Sequence, residues 1–155
     1  MKKVNLYCKI HECSQKELSS SDHGLLSAAK KSSTHAYAPY SRFKVGAAVL
    51  LGNQKIISGN NQENAAYPSG LCAERVALFF ASGQHPTEKI KAIAVTAVPC
   101  GACRQAMLEY ETKQKSPVRI IMQSGNKVFI ADGIDNLLPL AFTAMALKAS
   151  GSRAK

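Results

Sequence analysis

A single α/β domain on a mixed sheet is what this chain predicts, on three observations. Period-two stretches alternate with helical ones, the pattern of strands covered by helices. Two of the strand pairs are joined by short turn signals, so part of the sheet is antiparallel. The length, 155 residues with 46% hydrophobic and 19% charged residues, suits one ordered domain that buries its own core without a disulfide or metal.

The elements follow in chain order. In residues 3–10, Val4, Leu6, Cys8 and Ile10 fall on one side, which predicts a short N-terminal strand. Asp22 to His35 reads as a helix with Leu25, Leu26, Ala28 and Ala29 on its apolar side, stopped by Ala38-Pro39-Tyr40-Ser41. Lys44–Leu51 and Lys55–Ser58 are strands joined at Gly52-Asn53. Residues 59–70, rich in Asn, Gly and Pro, predict a loop. Leu71–Ser82 is a helix, Lys91–Val98 a strand and Gly101–Glu111 a further helix. Val118–Gln123 and Lys127–Ala131 are strands around Ser124-Gly125-Asn126, and Ile134–Ala149 reads as helical with Pro139 interrupting.

Composition removes several classes of function. No apolar run approaches the roughly 18–20 residues that span a bilayer. Met1-Lys2-Lys3 resembles the start of a secretion signal, but Asn5 and Lys9 break the apolar stretch that should follow, so a cytoplasmic location is expected. The net charge of +10 would suit an anionic polymer. The basic residues are nevertheless scattered, with Lys2-Lys3 and Lys30-Lys31 the only adjacent pairs and no Trp, which reads as a solvated surface and not a nucleic-acid interface. Five cysteines, an odd number, argue against a disulfide framework and leave metal binding or nucleophilic work.

The chemistry gathers in two segments. The helix from Leu71 is apolar nearly all round and reads as buried, yet carries Glu74 and Arg75 in its first turns. Buried charges need partners; alternatively that turn reaches solvent and Glu74 complements the helix dipole. Pro99-Cys100-Gly101-Ala102-Cys103 opens the next helix. A Cys-x-x-Cys there brings two sulfurs to one metal ion and lowers their pKa, although a redox pair or half a zinc finger has the same spacing. No second Cys-x-x-Cys and no His-x3-His is present to complete a structural site. Cys72 offers a third sulfur, and three protein ligands with an open fourth position is the pattern of a catalytic zinc. Glu74, two residues on, can face the same pocket as a general acid–base without binding the metal. Three sulfur ligands, a nearby Glu and Pro-Cys-x-x-Cys are together the pattern of the zinc-dependent deaminases.

At this level the sequence resembles the small homotetrameric cytidine deaminases. The resemblance is carried by Tyr37 to Ala48 (YAPYSRFKVGAA), Asn61 to Tyr67 (NQENAAY), Gly70 to Arg75 (GLCAER), Pro99 to Gln105 (PCGACRQ) and Leu137 to Phe142 (LLPLAF), in order over most of residues 24–142. It implies a three-layer α/β/α fold with a mixed five-stranded sheet; the first 20 or so residues and the last ten lie outside the match, so residues 1–155 read as one domain with residues 1–20 as an N-terminal strand extension. It implies zinc (Zn2+) held by Cys72, Cys100 and Cys103, and Glu74 carrying protons from water to ring nitrogen 3 and then to the departing amino group. Arg75 would hydrogen-bond a ligand sulfur, its alternative being a surface ion pair. Together with the two helix N-termini it would offset the excess negative charge of three thiolates. Asn61 and Glu63 would hold the sugar 3′-hydroxyl, Phe43 would pack beside the nucleoside, and the backbone of Ala73 would meet the base edge. Phe142 would reach the pyrimidine from a neighbouring subunit and Tyr67 would make a subunit contact. On composition alone, Asn61 and Glu63 read as ordinary loop residues and the two Phe as core. Val98 departs from the small polar residue usual before the Pro-Cys.

The activity so implied is hydrolytic deamination of cytidine and deoxycytidine to uridine and deoxyuridine, with release of ammonia, in pyrimidine salvage. No nucleic-acid or membrane partner is implied. An editor of nucleic acids would need a groove for flanking nucleotides, and its family usually carries His-x-Glu where this chain has Cys-x-Glu. A structural zinc module leaves Glu74 without a task, and an aminonucleoside deaminase is disfavoured by Asn61 and Glu63, which suit an ordinary ribose.

Overall fold

Six strands form one sheet in the order β1-β6-β5-β4-β2-β3 in a computed structural model of the chain, which describes residues 1–151, with side chains described through residue 147. The strands are β1 (His11–Ser14), β2 (Gly46–Leu51), β3 (Ile56–Asn60), β4 (Ile90–Val95), β5 (Arg119–Ser124) and β6 (Lys127–Asp132). The helices are α1 (Ser20–Ser33), α2 (Ala73–Gln84), α3 (Gly101–Gln114) and α4 (Ala144–Gly151). Only β4 and β5 pair in parallel among these strands, joined by the crossover through α3. The sheet is therefore mixed as expected, but it has six strands where five were expected. Strands β2–β6 make five, and β1 adds a sixth by pairing antiparallel with β6.

Two cores divide the side chains of the sheet by the strand period. Ala47, Val49 and Leu51 of β2 and Ile93 and Val95 of β4 pack with Ala77, Leu78 and Ala81 of α2 and Met107 of α3. Ala48, Ala92, Ala94 and Ile121 pack with Leu25, Leu26 and Ala29 of α1. At two points the helices approach so closely that only glycine fits. A Cβ on Gly46 would lie 2.0 Å from the Ala29 carbonyl oxygen of α1. One on Gly59 would lie 2.5 Å from the Ala77 nitrogen and 3.0 Å from the Ala73 oxygen of α2. Asp22 of α1 is tied to β5 through Arg119, which also bonds Asp132 of β6 at 2.8 Å.

Both ends of the chain depart from the sequence reading. Residues 3–10 are not a strand; the ladder to β6 is made by His11–Ser14 instead. Alternation supplies a face but no partner. The pairing is fixed further along by a Glu12–Lys127 ion pair at 2.7 Å and by Ser14 and Glu17, which cap one another and turn the chain away. Val4, Leu6 and Ile10 are exposed. The expected helix over Ile134–Ala149 is a 3-10 turn at Ile134–Asn136, an irregular segment through Pro139, and α4. Residues 152–155 of the expected domain lie outside the described residues. No helix among those described is long and apolar enough to cross a membrane.

Candidate metal centre

Cys72 and Cys100 occupy equivalent places in two helices. Each is the residue just before the first helical turn, Cys72 ahead of α2 and Cys100 ahead of α3, and each has extended backbone. Their carbonyls accept the first helical bonds, from Val76 at 3.1 Å and Arg104 at 3.0 Å. Neither thiol caps its own helix, so both sulfurs are free to turn outward where the partial positive charge of the helix starts is strongest. Cys103 is three residues into α3 and fully buried. The three sulfurs lie within 4.8 Å of one another, and those of Cys72 and Cys100 are 3.9 Å apart. A tetrahedral ion with sulfur ligands at about 2.3 Å holds them about 3.8 Å from each other, so the trio fits zinc. Donor chemistry agrees, because soft thiolates select zinc over the hard cations.

The electrostatics around the trio are uneven. Cys72 is pushed down to about 5, first by a hydrogen bond from Cys103, with Arg75 and Cys100 adding to it against the cost of burial. Cys103 moves upward, chiefly through the same bond to Cys72 and through burial. Arg75 Nη2 reaches the Cys72 sulfur at 3.9 Å and the Gly70 carbonyl at 3.5 Å, while its Nε is buried and unpartnered among the described residues. Arg75 thus lies against the sulfur of Cys72. Glu74, only 4% exposed, is raised above the usual carboxylate range, chiefly by burial.

A cleft of about 190 Å³ runs from the sulfurs to the surface. Cys72, Ala73, Glu74 and Cys100, from the two helix starts, line it together with Phe43, Asn61 and Glu63 from the loops, so the structure brings seven of the expected site residues together. Sequence reasoning gave no role in the cleft to Ser41, Val45 or Ala97, and read Val98 as a matter of local packing; all four line it. Ser41 has the plainest job. Its hydroxyl donates to Glu63 Oε1 and accepts from the Phe43 N–H at 3.0 Å. Glu63 Oε2 accepts from the Tyr40 and Ser41 N–H groups at 2.9 and 3.2 Å, and these bonds, that from the Ser41 hydroxyl first, hold its carboxyl below the usual range. Asn61 accepts from the Val45 N–H at 2.8 Å and donates to the Phe43 carbonyl at 2.9 Å.

Two expected residues lie elsewhere. Phe142 is 61% exposed and does not line the cleft of its own chain. Tyr67 is 78% exposed, 6.3 Å from the ring of Tyr40, and borders an adjoining hollow with Cys72 and Arg75.

Comparison with known proteins agrees with this geometry. A family model described as "Cytidine and deoxycytidylate deaminase zinc-binding region" matches residues 19–116. A cytidine deaminase of Halalkalibacterium halodurans is 39% identical over 122 residues, covering 70% of this chain and 84% of that one. A cytidine deaminase of Sporosarcina psychrophila is 45% identical over 92 residues, 56% of this chain and 67% of that one. The crystal structure of cytidine deaminase from Burkholderia pseudomallei superposes with a TM-score of 0.69 at 41% identity, covering 77% of this chain and 98% of that one.

Proposed function

This chain belongs to the cytidine and deoxycytidylate deaminase family, and on that premise we propose that it hydrolyses cytidine and deoxycytidine to uridine and deoxyuridine, releasing ammonia, in the salvage of pyrimidines in the cytoplasm. The observation that carries the reading is the buried Glu74 carboxyl on the cleft wall where three sulfurs meet at two helix starts. Cys72, Cys100 and Cys103 would hold zinc, which supplies a Lewis acid that makes water nucleophilic near neutral pH. Glu74 takes a proton from the attacking water and delivers it to ring nitrogen 3, as the water oxygen bonds to carbon 4. It then moves the remaining proton of that oxygen to the exocyclic nitrogen. The carbon–nitrogen bond breaks, its electron pair leaves with ammonia, and a carbonyl remains at carbon 4. A carboxyl raised by burial suits this traffic, since its two protonation states lie closer in free energy at neutral pH.

Binding falls to the loop residues of the cleft. Asn61 has used one donor and one acceptor of its amide, and Glu63 three acceptor positions of its carboxylate. What is left, one amide N–H, one amide lone pair and one carboxylate lone pair, fits a single hydroxyl that both accepts and donates, as the sugar 3′-hydroxyl does. Phe43 packs beside the nucleoside and the Ala73 backbone meets the base edge. Phe142, exposed and outside its own cleft, completes the cleft of a neighbouring subunit in a homotetramer, with Tyr67 at the subunit contact. Two cores on opposite sides of the sheet support the α/β/α layering of a single domain.

The test is to incubate the zinc-loaded protein with cytidine, deoxycytidine and a cytosine-containing single-stranded oligonucleotide while following ammonia. Release from both nucleosides and none from the oligonucleotide is expected. Release from the oligonucleotide alone, or from nothing, overturns the proposal.

A further inference from the structure

Two consecutive side chains of α3 hold the irregular segment that follows the 3-10 turn at Ile134–Asn136. Arg104 Nη1 donates to the Leu137 carbonyl at 2.8 Å, and its Nε donates to the Pro99 carbonyl at 2.9 Å. Gln105 Nε2 donates to the Phe142 carbonyl at 2.8 Å, a contact between residues 37 apart in sequence. The segment 137–142 is thus fastened to the metal-bearing helix near both its ends. Between the fastenings it has no helix or strand to define its path, and Leu140 is exposed. The backbone sets the point and the Cα–Cβ direction from which the Phe142 side chain starts, and Gln105 grips that backbone. Gln105 itself is half-exposed, and its bond to the Phe142 carbonyl is a neutral one.

We propose that Gln105 is a positioning residue of the deamination reaction, fixing the Phe142 backbone so that the ring is presented to the cleft of a neighbouring copy. This rests on the reading above that Phe142 serves a neighbour's site. A chain altered at Gln105 keeps its own sulfurs, Glu74 and cleft, but offers a poorly placed ring to the adjacent subunit. The defect therefore appears at someone else's site, which a purely structural role would not produce.

Mixed tetramers test this. Gln105→Ala alone is expected to raise KM and lower kcat/KM about tenfold, the effect of one lost hydrogen bond, with normal zinc content by atomic absorption. Gln105→Glu, of the same shape but with no donor, should match it. Chains carrying Gln105→Ala and chains carrying Glu74→Gln, each with its own tag, are then co-expressed and the mixed assemblies isolated through both tags. The Gln105→Ala chains own the working clefts, and the Glu74→Gln chains supply well-placed Phe142 rings, so KM should return toward the wild-type value. Phe142→Ala mixed with Glu74→Gln is the control. Failure of that control to recover sinks the trans reading, and this inference with it. Recovery in the control without recovery for Gln105→Ala means that Gln105 acts within its own chain, and only this inference is overturned. An unchanged KM in Gln105→Ala likewise overturns it.

Discussion

The two walls of the cleft are built on different principles. The wall of Cys72, Ala73, Glu74 and Cys100 stands on the first turns of two helices; Ala73 and Glu74 are buried in it, Cys100 is exposed, and Gly59 packs tightly against the same turn of α2. The wall of Ser41, Phe43, Asn61 and Glu63 is loop, and it is held by side chains bonding to backbone N–H and carbonyl groups. Charge that must change during a reaction needs a low-dielectric setting and donors fixed in advance, which burial supplies. Recognising a sugar hydroxyl needs spare hydrogen-bond capacity near water, which a braced loop supplies. The first wall is expected to respond to substitution in turnover and metal content, the second in KM.

The largest effect should come from the wall of the two helix starts. Cys100→Ala is expected to lose both zinc and turnover, read by metal analysis and ammonia release; retained zinc with retained activity would break the comparison at its foundation. Glu74→Gln should keep zinc and fold while kcat falls by about 10²–10⁴, the range for loss of a general acid–base. Near-normal kcat there would show that burial of this carboxyl has no chemical purpose. Gly59→Ala drives a methyl into the α2 backbone at Ala73 and Ala77. It should destabilise by about 1–3 kcal/mol in thermal melts, as overpacking does, and lower kcat as well, because the shifted turn carries Cys72 and Glu74. On the loop wall, Glu63→Gln replaces an anionic acceptor of two N–H groups by a neutral one and should raise KM about tenfold with zinc and kcat nearly unchanged. A fall in kcat without a change in KM would erase the distinction between the walls. Asp22→Asn, in neither wall, should cost about 1 kcal/mol of stability through its half-exposed partner Arg119 and leave both kinetic constants alone.

The helix-start wall was the more legible of the two in sequence. Cys72, Glu74, Cys100 and Cys103 are read from local spacing, because each pair sits within one helix start, and the structure brings the two starts together. The bonds that Glu63 and Asn61 make reach back sixteen to twenty-three residues, so no local pattern shows that they brace the loop bearing Phe43. Gln105 is further from view still, since its partner is a main-chain carbonyl that carries no side-chain signature. The alternating sheet and its two hairpins followed from periodicity. The N-terminal strand did not, because alternation in residues 3–10 says nothing of which segment β6 accepts; the segment it pairs with, His11–Ser14, carries an ion pair to Lys127 and ends in a capped turn.

That sixth strand also has a protective side. Pairing with β6 closes the open border of a six-residue stretch, Lys-Val-Phe-Ile-Ala-Asp, whose composition favours strand-to-strand templating between molecules. What remains on the outside is only four residues long, carries His11 and Glu12, and is turned off by a capped bend, which are features that discourage further strand addition. A chain trimmed to begin at α1 would keep every group of the cleft and yet expose that border, trading no chemistry for a greater tendency to stick to its own kind.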